Sequence, residues 1–78
     1  MEGQPAVTLT VNHLMDAMTE ARRLSRGGLV LSVLLTDQGF VVLGAKDGRH
    51  IGRDIGWLEI EEQPGRLIKA VREVRDRL

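Results

Sequence analysis

A tandem tetrapeptide, Gly48-Arg49-His50-Ile51 followed by Gly52-Arg53-Asp54-Ile55 and closed by Gly56, is the segment of this chain best equipped for chemistry. Gly44 extends the same glycine spacing upstream. Glycine opens backbone conformations closed to other residues and lets another molecule come close, while arginine offers a fork of donors matched to carboxylate or phosphate. A loop of this kind would embrace an acidic group with Arg49 and Arg53, and His50 would lend a third donor. The competing reading is an irregular edge strand bent at its glycines, with the arginines solvated or paired to Asp47 and Asp54. No Gly-x-x-x-x-Gly-Lys-Ser/Thr run is present, so the segment is not a phosphate loop of that type.

Two further residues join this group. Arg66 stands near a helix start, where the dipole does nothing to stabilise a cation. Trp57, the chain's single tryptophan, reads as packed under a helix; if instead it is exposed beside Arg53, it becomes an interface anchor. Arg49, His50, Arg53, Trp57 and Arg66 are therefore the expected partner-binding residues. Arg22, Arg23 and Arg26 form another basic group, but the last turn of a helix accommodates cations without any ligand.

Catalytic constellations are harder to assemble. His13 and Asp16, one helical turn apart, could act as a base and its orienter, yet Ser25 and Ser32 lie in no motif and the chain has no cysteine. Glu59, Glu61 and Glu62 read as a solvated strand end leading into a capped helix. We expect no catalytic residues, no metal site, no cofactor and no enzymatic activity.

The elements that must position these residues follow from periodicity. Residues 1–5 carry no pattern and read as a flexible tail, with a single domain over residues 6–78. Val7, Leu9 and Val11 alternate with Thr8 and Thr10, which predicts a strand over Ala6 to Val11. Asn12 then serves as an N-cap for a helix from His13 to Arg26, its apolar stripe being Leu14, Ala17, Met18, Ala21 and Leu24, with Gly27-Gly28 as its stop. Leu29 to Thr36 and Phe40 to Ala45 predict two central strands joined through Asp37-Gln38-Gly39, a three-residue loop with Gly39 in the left-handed position. Asp47-Gly48 predicts a tight turn into a last strand between Arg49 and Glu61, placed most firmly over Ile55 to Glu61. Pro64 announces a final helix with Leu67, Ile68, Val71, Val74 and Leu78 buried, and with Arg72–Asp76 and Glu73–Arg77 as exposed pairs four residues apart. The fold class is α+β: a two-layer βαβββα domain, or αβββα without the first strand, with a mainly antiparallel sheet and two helices packed on one face.

The αβββα portion resembles the double-stranded RNA-binding domain in element order and length. That family grips phosphates with a lysine cluster at the start of its last helix, whereas the matching stretch here is Glu61-Glu62-Gln63-Pro64-Gly65-Arg66. The resemblance therefore implies architecture, without the activity or any residue of it.

Composition narrows the function. With 78 residues, eleven basic and eleven acidic, the chain has room for one core and no net pull on nucleic acid or on an anionic membrane. A core this small rarely supplies more than about 3 to 5 kcal/mol alone, and without cysteine the remaining staple is association. Val30 and Leu34 oppose Leu29, Leu31, Val33 and Leu35, and Val41 and Leu43 oppose Phe40 and Val42, so both sheet faces read as apolar while the helices can cover only one. We expect the second face or a strand edge to be covered by a twofold-related copy or a partner protein. The resulting expectation is a soluble cytoplasmic, homodimeric interaction module: a small regulatory or inhibitory accessory protein, for example of the type phages and mobile elements carry against CRISPR systems. The alternative is a nucleic-acid-binding module using the arginines of the repeat.

Overall fold

The computed structural model describes residues 3–63 and 65–78, residues 3–10 by their backbone. The order is α1 (Gly3–Leu24), β1 (Val30–Thr36), β2 (Gly39–Lys46), β3 (Arg49–Gly56), α2 (Trp57–Glu62) and α3 (Arg66–Arg77). This is the expected α+β class in its αβββα form, with one short helix added. The three strands make an antiparallel sheet in the order β1-β2-β3, so β1 and β3 are both edges. α1 packs on β1, α3 packs on β2 and β3, and the two helices pack on each other over one sheet face.

Two expected strands are corrected. The segment Ala6 to Val11 belongs to α1, and Asn12 lies inside that helix instead of capping it. Alternating valine and threonine disfavour a helix by only a few tenths of a kcal/mol per residue, a cost small enough for a helix continuous with the residues that follow. Of the tail expected over residues 1–5, Met1 and Glu2 lie outside the described residues, as does Pro64. The last strand ends at Gly56, and Trp57 to Glu62 turns into α2, whose buried residue is Ile60. Over six residues, Trp57 and Ile60 satisfy a helical spacing as well as Ile55 and Trp57 satisfy a strand.

Both hairpins are two-residue turns. Asp47 and Gly48 have φ of 53° and 80°, the paired left-handed conformation that suits the twist of the flanking strands. The first loop is Asp37-Gln38, shorter by one residue than expected, because Gly39 already pairs with Thr36 in the ladder. Gly39 has φ 145°, and a Cβ there would collide with the Ile55 carbonyl oxygen and come within 2.9 Å of Gly56 Cα.

The core lies between the sheet and the helices. Phe40, Val42, Ile55, Leu67 and Val71 are its largest fully enclosed side chains, joined by Ala17, Ala21, Leu31, Val33, Ile60 and Val74. Gly44 is where α3 rests on β2: a Cβ there would lie 2.5 Å from Val74 Cγ1 and 2.7 Å from Leu78 Cδ1. Ser25 fastens α1 to β1, its hydroxyl donating to the Ala21 carbonyl at 2.7 Å and accepting from the Leu31 N–H at 3.0 Å. Among the described residues no helix is long and apolar enough to cross a membrane.

α1 and α3 are also tied by charge. Glu20 accepts from Arg23 Nε and Nη2, both at 3.0 Å, and from Arg72 Nε at 2.7 Å. The hydrogen bonds from Arg23, then those from Arg72, hold the Glu20 carboxyl down at about 2 against an ordinary 4.5, although partial desolvation opposes them. Arg72 thus reaches across to α1 instead of pairing with Asp76, which binds Arg75.

Two outcomes follow. Gly39→Ala should lower stability by about 1 to 3 kcal/mol through backbone strain, read as a lower urea midpoint with unchanged slope; an unchanged midpoint would mean the turn relaxes freely. Because the folded pKa of Glu20 is depressed, its contribution is complete above pH 4.5 and is lost as pH falls towards about 2. Glu20→Gln should therefore flatten part of the acid limb of stability measured by thermal melts across that window. Superimposable acid limbs would show the cluster to be idle.

Candidate functional site

The glycine and arginine repeat forms a regular strand and no loop. Each residue of β3 pairs in sequence with β2, from Arg49 opposite Lys46 to Gly56 opposite Gly39. Strand alternation then separates the expected binding residues, sending Arg49 and Arg53 to the helix side with Ile51 and Ile55, and His50 to the opposite side with Gly52 and Asp54. The three donors do not converge.

The arginines on the helix side are engaged by the protein itself. Arg49 Nη2 donates to the Arg77 carbonyl at 3.0 Å, closing the end of α3. Arg53 lies 3.5 Å from Glu59 Oε2 through Nη2 and 3.5 Å from Glu73 Oε1 through Nε, which is hidden from solvent and makes no hydrogen bond. Arg66 Nε donates to Glu59 Oε2 at 2.7 Å, and that bond keeps its guanidinium more firmly protonated than usual. Glu59 therefore bridges β3 to the start of α3 from within α2. Glu73 pairs with Arg53, where the sequence suggested Arg77. A depression of about 110 Å³ beside this network is lined by Ile51, Gly52, Arg53, Glu73, Val74 and Arg77.

Trp57 is half-buried. Its indole donates to the Asp37 carbonyl at 2.9 Å, and its ring meets Phe40 edge-on with centroids 5.4 Å apart. It thereby pins α2 to the first hairpin. His13 is half-buried on α1, its Nδ1 without a hydrogen-bond partner among the described residues, and Asp16 is exposed.

The opposite face of the sheet stands open, and Val11, Met15 and Met18 on α1 and Leu58 on α2 are exposed elsewhere. Pairing aligns the residues of the open face in rows: Val30, Ala45 and His50; then Ser32, Leu43 and Gly52; then Leu34, Val41 and Asp54. Val30 is 58% exposed, Leu34 48% and Leu43 41%, against 7% for Leu31 and Val33 on the helix side. The Leu43 side chain leans over Gly52, where an added Cβ would approach it at 3.2 Å. Beyond the third row, Gly39 and Gly56 leave a depression of about 170 Å³ beside Thr36, Val41 and Asp54. Of the five expected binding residues, only His50 lies on this face. The two-sided apolar pattern of β1 and β2 was the sequence signal for Leu34 and Leu43, which a search for polar chemistry passes over.

A further outcome belongs to the ion network. Glu59→Gln should lower the urea midpoint at low salt, with the difference from wild type shrinking at high salt as exposed pairs are screened. A difference indifferent to salt would assign Glu59 a packing role instead.

Compared with known proteins, the chain matches no family model, no curated protein and no solved structure.

Proposed function

We propose that this chain is a non-enzymatic protein-interaction module that binds through the open face of its sheet, serving as a small regulatory or inhibitory accessory protein. The observation that carries this reading is the exposure of Val30, Leu34 and Leu43 on one contiguous face that neither α1 nor α3 covers. Scattered surface leucines need no explanation, but exposed apolar residues grouped on one sheet face form a patch that another chain can cover. The absence of cysteine suits a reducing cytoplasm.

The nucleic-acid reading draws no support from the arginines, because Arg53 and Arg66 are matched by Glu59 and Glu73 and Arg49 by a helix carbonyl.

The test is affinity capture from the native host with wild type and Leu34→Lys, a substitution at an exposed position that leaves the core intact. Wild type should retain a protein, a tagless copy of itself included, that the variant loses. Identical recoveries with both baits would reject the open face as the binding surface.

A further inference from the structure

We infer that the occupant of the open face is a second copy of this chain, packed face to face about a twofold axis that runs along the row Ser32, Leu43 and Gly52. This rests on the reading of that face as a binding surface and names its partner. The argument begins from symmetry. A twofold lying between two facing sheets and parallel to a row keeps each strand over its own copy and reverses its direction. The row Val30, Ala45 and His50 then faces the partner's Leu34, Val41 and Asp54, and the reverse holds for the second set.

Each position meets what it needs. Val30 lies against leucine, Ala45 against valine, and Leu43 against its own copy on the axis. His50 and Asp54, the two ionisable residues of the three rows, are brought opposite each other twice over. The face carries one acid and one base, four positions apart on β3, with Gly52 midway. That spacing makes the surface complementary to itself, while its apolar centre and polar side match the anatomy of a protein interface. Facing sheets pack about 10 Å apart, a gap that a histidine and an aspartate reaching from opposite sides can close with one hydrogen bond. Gly52 leaves room for Leu43 to tilt, so that the two axial leucines pass each other.

The size of the face sets the strength. Three strands of about seven residues cover roughly 14 by 23 Å. Two such surfaces bury roughly 640 Å² of flat area, the size of a weak, transient interface. The dimer is therefore weak, exchanging between copies within an experiment.

Sedimentation of the whole chain across micromolar to millimolar concentrations should show reversible dimerisation. Leu43→Lys and Leu43→Glu should each weaken it about 100-fold, since each places two like charges on the axis, and an equimolar mixture of the two should dimerise again. His50→Asp and Asp54→His should each weaken it about 10-fold, and the double swap should restore it. Circular dichroism of each variant separates lost association from lost folding. A wild type that stays monomeric, or Leu43 variants that dimerise separately as well as mixed, would overturn the inference. If the wild type is monomeric but captures a different protein that Leu34→Lys loses, the twofold falls and the interaction face stands. If neither self-association nor Leu34-dependent capture is seen, both fall.

Discussion

The seating of α3 on β2 at Gly44 is the contact from which the rest of the arrangement follows. With hydrogen in place of a side chain, Gly44 lets Val74 and Leu78 settle directly on the sheet. That depth brings Glu73 within reach of Arg53 and the last carbonyls of α3 within reach of Arg49. It also commits the helix to one face. α1 fills the remaining width beside it over β1, Glu20 and Arg72 join the two helices, and no other element among the described residues covers the other side.

The regular glycine spacing that stands out in the sequence resolves into four separate tasks. Gly44 admits a helix, Gly48 takes the left-handed place of a tight turn, Gly52 lies under Leu43 on the open face, and Gly56 ends β3 and precedes α2. A period of four in an antiparallel hairpin returns to the same strand parity only within one strand. Gly44 and Gly52 lie on different strands across a turn and so serve opposite faces. The repeat is an outcome of packing needs that fall at equal intervals, and the arginines within it bind the protein's own carboxylates and a helix end.

Much of this was legible in the residues. The stripe Leu67, Val71, Val74 and Leu78 became the packed side of α3, Ala17 and Ala21 that of α1, and Asp47-Gly48 the second turn. Leu31 against Leu34, and Val42 against Leu43, divided into inner and outer faces as a two-residue period requires. What could not be read were features decided by length or by distant partners. The segment Val7 to Val11 has strand periodicity but no neighbouring strand, and α1 runs continuously through it. Trp57 to Glu62 is too short for its period to choose between strand and helix, so the outcome rests on the hydrogen bond to Asp37 and the contact with Phe40. Glu20 and Arg72 lie 52 positions apart, and no local rule pairs them.

The composition of the open face bears on why it exists. A strand needs residues that fit a pleated surface, and on an exposed face threonine or serine fits as well as leucine without presenting apolar area to water. Ser32 occupies such a position in β1, flanked on the same face by Val30 and Leu34. Within the isolated fold, Leu34 and Leu43 add little that a β-branched polar residue would not, because the enclosed side chains of the core lie on the other side. Their value is realised only when water is removed from them, at roughly 25 cal/mol per Å². Under the proposed association, apolar area held in reserve on one face of a chain with a single small core would couple stability to association, so that the bound form would also be the more stable form.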